Sequence, residues 1–172
     1  MGTGGVVGVL VLDARDWQLW RKIRRAALTE APTVFGSTLA DWSGAGDTEE
    51  RWRGRLEGVA LNRVLTLGDE PVGIVSATAP GADGAVQLIS LWVSPAGRGH
   101  GVGDEAVRQV VAWARREHPG SPVVLSVKID NEPARRLYER QGFVDAGPSP
   151  DGPDERRMRC QPSRGFAAGG VT

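Results

Sequence analysis

The chain has 172 residues, the usual length of one domain, and its 21 basic residues are balanced by 21 acidic ones. The resulting net charge of zero excludes the broad positive field with which proteins bind nucleic acid or an anionic membrane surface. Cys160 is the only cysteine, which excludes an intrachain disulfide and a bridge-stabilised secreted scaffold, and we expect a cytoplasmic protein.

The first part of the chain predicts one strand followed by helices. Residues 6–12 form an apolar run that favours a buried strand, or one without a clear period, and that is too short to span a bilayer. In residues 14–29 apolar positions recur every three or four residues, as on one face of a helix. The basic residues predicted elsewhere on this helix are Arg21, Lys22, Arg24 and Arg25. Residues 35–38 open a short helix through Trp42, and Glu49–Glu57 forms another.

Three extended segments follow, at residues 59–67, 71–79 and 85–93. The short polar connections between them favour antiparallel hairpins. A glycine-rich loop and an amphipathic helix separate the third segment from a further strand at Val123–Lys128. Because a helix connects these last two strands, we expect them to be parallel neighbours.

The last part of the chain predicts a helix and two strands. Asn131 can cap a helix that ends at Gly142, and residues 143–145 and Glu155–Cys160 favour an antiparallel pair. We therefore expect one mixed α/β (α+β) domain in residues 1–160, with a mostly antiparallel central sheet of about six or seven strands and flanking helices. Residues 161–172 are expected to be a flexible C-terminal tail.

The loop before the amphipathic helix is nearly all backbone. Glycine occupies positions 97, 99, 101 and 103, and Arg98 adds one positive charge. Few side chains hinder a ligand from reaching the main-chain N–H groups, and the first N–H groups of a helix attract phosphate oxygens. The spacing fits neither the dinucleotide pattern Gly-x-Gly-x-x-Gly nor a mononucleotide loop closed by Lys-Ser or Lys-Thr. Such a turn can also serve only to let a helix pack close to a sheet.

Two motifs on separate elements fit one known family. Val93, Pro95, Arg98, Gly99, Gly101 and Gly103 match the pattern Val-x-Pro-x-x-Arg-Gly-x-Gly-x-Gly. Leu125, Val127, Asn131, Ala134, Leu137, Tyr138, Gly142 and Phe143 match a second pattern, Leu-x-Val…Asn-x-x-Ala-x-x-Leu-Tyr…Gly-Phe. The chain thereby resembles the GNAT superfamily of N-acetyltransferases, whose first pattern is the acyl-CoA pyrophosphate loop. The motifs cover residues 88–143, and the order of strands and helices extends the resemblance over nearly the whole chain.

The resemblance implies a GNAT fold and direct transfer of an acetyl group from acetyl-CoA to a primary amine, without a covalent enzyme intermediate. It also implies that the strand at residues 85–93 splays from Val123–Lys128 and that the pantetheine arm lies in the gap. The implied cofactor-binding residues are Leu91, Trp92, Val93, Arg98, Gly99, His100, Gly101, Val102, Gly103 and Asn131. We expect the side chain of His100 to face solvent. With two histidines and one cysteine, the chain offers no cluster that argues for a metal site.

The resemblance implies Tyr138 and Asn131 as catalytic residues. Tyr138 would give its phenol proton to the departing thiolate, because a phenol with a pKa of about 10 is protonated at neutral pH. Asn131 would contact the pantetheine or an ordered water. Alternatively, Tyr138 is only an inward-facing helix residue and Asn131 only a helix cap.

The group that takes a proton from the amine is not identified by the sequence. Many relatives carry Glu on the strand before the loop, but this chain has Gln87 in that neighbourhood, and Gln cannot act as a base. Acidic and aromatic residues of the early helical segment either shape a pocket for a cationic amine or serve as helix caps and core. They are Phe35, Asp41, Trp42, Asp47, Glu49, Glu50 and Trp52.

The leading hypothesis is an N-acetyltransferase of a small amine, such as a polyamine, an amino acid or an aminated antibiotic. The alternatives are a catalytically silent acyl-CoA sensor and an acetyltransferase of protein N-termini or lysines. Dimers are common among the proteins it resembles, so a homodimer is one expected state, whereas nucleic-acid and membrane partners are not expected.

Overall fold

The strands and helices follow one another in the predicted order. The computed structural model describes residues 5–162, so the predicted C-terminal tail lies outside the described residues from residue 163 onward. The strands are β1 (Val7–Val11), β2 (Leu61–Leu67), β3 (Glu70–Ala77), β4 (Val86–Val93), β5 (Val123–Lys128), β6 (Val144–Pro148) and β7 (Glu155–Cys160). The helices are α1 (Trp17–Glu30), α2 (Glu49–Glu57), α3 (Val102–Glu117) and α4 (Glu132–Arg140). The predicted α/β fold is confirmed.

All seven strands form one mixed sheet in the order β1-β2-β3-β4-β5-β7-β6. Neighbouring strands are antiparallel except β4 and β5, which are parallel. The helix α3 connects these two strands, and a parallel pair requires such a crossover because a short turn reverses the chain direction.

Neighbouring residues of the central strands point to opposite faces of the sheet and fill two cores. Val64 belongs to the core under α1 and α2, where Trp20 and Trp52 are fully buried. Leu65, the next residue, belongs to the core under α3, together with Val110 of that helix. The sheet is thus covered on both faces, which explains why its central strands are continuously apolar.

The sheet is split between β4 and β5. The two strands pair only at Val86 with Val123 and at Gln87 with Val124. Just beyond this point Ser90 has a φ of +58°, and β4 carries one extra residue relative to β3. Such a bulge bends a strand and ends regular pairing. The ends of β4 and β5 therefore enclose a gap, as the sequence predicted.

The short helix predicted through Trp42 is instead a pair of 3₁₀ turns at Ala40–Trp42 and Gly44–Gly46. The carboxylate of Asp41 accepts hydrogen bonds from the N–H and hydroxyl of Thr38, which stabilises a turn rather than a helix. Gly44 then adopts a φ of +55°, which interrupts helical geometry.

The apolar run at the start of the chain is an edge strand rather than a buried one. Within the described residues, β1 pairs with β2 alone, and Val11 at the end of β1 is 70% exposed. Among the helices of residues 5–162, none has both the length and the apolar character needed to cross a bilayer.

Candidate active site

A cleft of about 560 Å³ occupies the gap between β4 and β5. Its walls are the ends of both strands, the glycine loop, the start of α3 and the inner side of α4. Among the site residues predicted from the sequence, those that line it are Leu91, Trp92, Val93, Arg98, Gly99, Gly101, Val102, Gly103, Asn131 and Tyr138. Segments that are far apart in the chain therefore meet at one cleft.

Hydrogen bonding to β3 turns alternate main-chain groups of β4 toward the cleft. The N–H of Ser94 donates to the carbonyl of Val72 at 2.7 Å, and Trp92 is paired with Ile74. Because N–H and C=O groups alternate in direction along a strand, the main chains of Leu91 and Val93 point away from β3, into the gap. They form a short strand edge that is free of a neighbouring strand and that an extended ligand can join, although the carbonyl of Val93 accepts a hydrogen bond from Nε of Arg98.

The glycine loop presents a series of unused N–H groups at the start of α3. Within residues 5–162, the amide N–H groups of residues 99–104 make no hydrogen bond of good geometry to a main-chain carbonyl or a side chain. Gly99 and Gly101 have φ values of +77° and +78°, and a Cβ on either would meet nothing within 4 Å. These amides and the positive end of the α3 dipole therefore form an open site for phosphate oxygens.

Two other glycines of the loop serve packing. A Cβ on Gly97 would lie 2.9 Å from Cβ of Val72, and one on Gly103 would lie 3.0 Å from Cδ2 of Leu137. Gly103 lets α3 approach α4 closely. A substitution at Gly103 would therefore disturb the fold as well as the loop, whereas Gly101 allows the phosphate site to be tested by itself.

The charge of Arg98 is already paired. Its Nη2 lies 2.8 and 2.9 Å from the carboxylate oxygens of Glu30 at the end of α1, and its Nε donates to the carbonyl of Val93 at 3.2 Å. Glu30 also accepts a hydrogen bond from Nε1 of Trp92 at 2.8 Å. Donation by Trp92, then by Arg98, lowers the pKa of Glu30, so this carboxylate remains charged and ties α1 to the cleft.

His100 is the one predicted site residue that does not line the cleft. Its side chain is exposed, and its ring Nδ1 lies 2.9 Å from the carbonyl oxygen of Arg98. The main-chain N–H of His100 belongs to the unused series described above. Any contact of this residue with a phosphate would therefore come from the backbone.

Tyr138 lies on the inner side of α4 and is only 7% exposed. The ring of Phe143 packs against it, with the two centroids 5.9 Å apart. Burial raises the pKa of Tyr138 above its usual value, because the phenolate would lose its hydration. The phenol therefore stays protonated throughout the neutral range, and in the unliganded protein it is a weaker acid than an exposed tyrosine.

Asn131 is a helix cap that also lines the cleft. Its Oδ1 accepts a hydrogen bond from the N–H of Ala134 at 3.3 Å, which satisfies one free donor of the first turn of α4. The capping role is confirmed. A contact with the pantetheine stays a prediction, and the two roles are compatible.

A second cavity, of about 460 Å³, adjoins the cleft. Five residues line both spaces, namely Val34, Leu91, Ser126, Tyr138 and Glu155. Phe35, Arg24, Arg55 and Asp151 line the second cavity but not the cleft. Gln87 lines the second cavity too.

The structure shows that Arg24 is buried, contrary to its predicted position on α1. It was predicted to lie elsewhere on α1 than the apolar face, but it is 5% exposed and lines the second cavity. Its spacing was the missed signal, because it lies four residues after the buried Trp20 and four before the buried Leu28. Arg55, Asp151 and Glu155 were also missed, since nothing in the local sequence pattern brings them together.

The acids of the early helical segment have other partners. Asp47 accepts hydrogen bonds from Arg21, Arg25 and Nε1 of Trp52, and thereby joins α1 to α2. Glu49 forms an ion pair with Arg53 at 2.7 Å. Neither acid lines the cleft or the second cavity. Asp47 links the two helices, whereas the ion pair of Glu49 lies within α2. Phe35 does line the second cavity, as the pocket interpretation expected.

In residues 5–162, no three His, Cys, Asp or Glu side chains are grouped closely enough to hold a metal ion. The ionisable side chains that line the two cavities are one phenol, four arginines, one lysine and three carboxylates.

Comparisons with known proteins concern the family and the fold. The model of the acetyltransferase (GNAT) family matches residues 17–143. An N-acetyltransferase 9-like protein of Caenorhabditis elegans is 37% identical over 54 residues, which are 31% of this chain and 27% of that protein. This match thus spans about a quarter of the relative's length.

Solved structures extend the likeness to the whole fold. An acetyltransferase of the GNAT family from Streptococcus pneumoniae aligns with a TM-score of 0.71 and 16% identity, over 92% of this chain and 100% of that one. The yncA protein of Salmonella typhimurium, solved with its cofactor acetyl-CoA, aligns with a TM-score of 0.71 and 17% identity, over 96% and 99% of the two chains. At these identities the likeness concerns the fold alone.

Proposed function

The chain belongs to the GNAT family of acetyltransferases, and from this premise we propose that it transfers an acetyl group from acetyl-CoA to a primary amine of a small molecule. The observation that carries the proposal is the position of Tyr138, which lines both the cleft and the second cavity. A proton donor at the boundary between two adjoining spaces is suited to a reaction between two substrates.

The residues of the cleft fit acetyl-CoA. The unused amides of residues 99–104 are donors for the pyrophosphate, and the free edge at Leu91 and Val93 is suited to the amide-containing pantetheine arm. Asn131 adds a polar side chain near the start of α4. The nearby charge of Arg98 contributes less to phosphate binding than its sequence position suggests, because Glu30 neutralises it.

Acetyl-CoA supplies a thioester whose acetyl carbon an amine can attack directly. In this reaction a C–N bond forms, the C–S bond breaks, the amine loses a proton and the sulfur gains one. Tyr138 is the proposed donor of the second proton, since it lines both spaces and its phenol carries a proton at neutral pH. The carboxylates of Asp151 and Glu155 line the acceptor side and are the proposed acceptors of the first.

Two measurements test the proposal. A thermal shift compares acetyl-CoA, CoA and ATP, and release of free thiol from acetyl-CoA is then followed with pooled amines. We expect stabilisation by both CoA species but not by ATP, and thiol release with at least one pool. Stabilisation without release from any pool, including peptides with free N-termini and lysines, would contradict the enzyme and favour a silent acyl-CoA sensor.

A further inference from the structure

The second cavity has a buried cationic side with no anionic partner. Arg24, on α1, is 5% exposed, and its Nη1 is buried without a hydrogen-bond partner. The guanidinium lies over the ring of Phe35, with Cζ 4.3 Å from the centroid. Arg24 forms no ion pair with residues 5–162. By contrast, seven other arginines between residues 15 and 116 each form an ion pair with a carboxylate.

Arg55 brings a second positive charge to the same side. Its Nη1 donates to Oδ1 of Asn62 at 3.1 Å, and its Nη2 donates to Oγ of Ser76 at 3.3 Å and of Ser90 at 3.4 Å. All of these acceptors are neutral, so they orient the guanidinium without cancelling its charge. In residues 5–162, Arg55 has no carboxylate partner either.

Both arginines nevertheless remain charged. Burial lowers the pKa of Arg24 to about 10, with repulsion by Arg55 as a further cause, and burial lowers the pKa of Arg55 to about 10. Each value stays well above neutrality. A buried charge without a counterion is costly, and proteins normally pair such groups. The two charges are therefore uncompensated until an anion enters the cavity.

Two carboxylates, those of Asp151 and Glu155, also line the second cavity. Asp151 accepts a hydrogen bond from the hydroxyl of Ser126, and Glu155 lies 3.2 Å from Nζ of Lys128. Glu155 lines the cleft as well as the second cavity, whereas Arg24 and Arg55 line only the second cavity and not the cleft. Of these four charged residues, Glu155 alone lies at the boundary between the two spaces.

We propose that the acceptor is a small amine that also carries a carboxylate, such as a free amino acid. Its carboxylate binds Arg24 and Arg55, and its amine faces Glu155 and Tyr138 at the boundary with the cleft. A carboxylate fits the planar fork of a guanidinium with two parallel hydrogen bonds. A polyamine would instead bring a second cation against two arginines. This inference rests on the proposed function, because it assigns the acceptor of that reaction.

The first test is a substrate comparison by thiol release. Each common L-amino acid is paired with its C-terminal amide, which keeps the amine and removes the negative charge, and putrescine and spermidine are included. Aminophosphonate analogues distinguish a carboxylate from another oxyanion. We expect kcat/KM for the best amino acid to exceed that of its amide by about 10- to 150-fold, the range for hydrogen bonds to charged groups.

The second test removes the charge of Arg24. Arg24→Met keeps an unbranched side chain, and we expect it to lower kcat/KM for the amino acid by about 10- to 150-fold, mainly through KM, and to reduce the preference over the amide to what Arg55 alone supplies. The Kd of CoA should not change. Arg115→Met, on the exposed face of α3, is the matched control and should leave both substrates unaffected.

Thermal unfolding separates recognition from a structural role. Because Arg24 is a buried charge without a partner, Arg24→Met should unfold at the same temperature as the native protein or a higher one. A clear fall in Tm with an unchanged preference for amino acids over amides would overturn the inference, and so would equal kcat/KM for amino acids, amides and polyamines.

Binding of products distinguishes failure of this inference from failure of the proposed function. Calorimetry measures the affinity of the CoA-loaded protein for N-acetylated amino acids and for their amides, whether or not turnover occurs. Carboxylate-dependent binding that Arg24→Met weakens would support the acceptor assignment even without thiol release. The absence of thiol release would then refute only the proposed enzymatic activity. Tight binding of the amides alone, or no binding of any acetylated amino acid, would overturn the acceptor assignment even if amines were acetylated.

Discussion

Two substitutions of Gly101 test the phosphate site, because a comparison between them separates the effect of a negative charge from the effect of backbone strain. This glycine precedes the first turn of α3 with a φ of +78°, where any L residue costs roughly 1–2 kcal/mol. A Cβ there would meet no atom within 4 Å, so a short side chain would extend into open space. Gly101→Asn and Gly101→Asp have nearly the same shape and the same backbone cost. They differ by one negative charge.

The charge sets the expected difference in CoA affinity. At a separation of roughly 5 Å from one phosphate charge, repulsion is about 0.8 kcal/mol at the dielectric constant of water and about 3.3 kcal/mol at an effective value of about 20. Gly101→Asp should therefore bind CoA about 4- to 250-fold more weakly than Gly101→Asn. Calorimetry gives both Kd values, and the difference should shrink in about 1 M salt, where the Debye length is about 3 Å.

Folding of the two variants is the control. A carboxylate near the start of α3 interacts favourably with the helix dipole, so Gly101→Asp should unfold at a temperature no lower than that of Gly101→Asn. Weaker CoA binding by the Asp variant could then not be attributed to a damaged fold. Equal Kd values for the two variants at low salt would refute the assignment of the pyrophosphate to this loop.

Three further substitutions test other parts of the structure. Tyr138→Phe removes only a hydroxyl and should lower kcat by about 10²- to 10⁴-fold with the Kd of CoA unchanged, measured by thiol release and calorimetry; normal turnover would remove the phenol from the mechanism. Asp47→Asn should lower Tm at neutral pH. The hydrogen bond from Arg21 is the largest cause of the lowered pKa of Asp47. The charged carboxylate therefore stabilises the fold above the unfolded-state pKa of about 4, and this stabilisation is lost as pH falls through the folded-state pKa. Melting curves of the native and Asn proteins should therefore converge in acid, and a constant difference down to about pH 2 would contradict this linkage. Gly97→Ala places a Cβ 2.9 Å from Cβ of Val72 and should reduce the free energy of unfolding by about 1–3 kcal/mol, whereas an unchanged urea midpoint would show that the contact relaxes without cost.

Elements bounded by local signals could be predicted closely from the sequence. The bounds of α2, β5 and β7 are those predicted, and α4 begins after its predicted cap, Asn131. The hydroxyl of Thr48 likewise accepts a hydrogen bond from the N–H of Arg51 and fixes the start of α2. Such caps act over three residues, so the local sequence contains the whole interaction.

Interactions between distant segments could not be predicted in the same way. The partner of Arg98 is Glu30, 68 positions away, and its ion pair depends on where the end of α1 meets the loop. The meeting of Arg24 with Arg55 depends on the packing of α1 against α2 over the sheet. Arg24 also shows that residue type can mislead, since its spacing from Trp20 marked the buried face while its charge suggested the exposed one.

The split in the sheet has a consequence for the exchange of amide hydrogens with solvent. Only two residue pairs join β4 to β5, so the main-chain N–H groups beyond Gln87 that face the gap are not protected by a neighbouring strand. Deuterium can reach them while both halves of the sheet remain folded. A ligand lying along Leu91 and Val93 would shield these positions and join the two halves. The exchange rate at the end of β4 is therefore a direct measure of occupancy of the cleft, independent of whether any acetyl group is transferred.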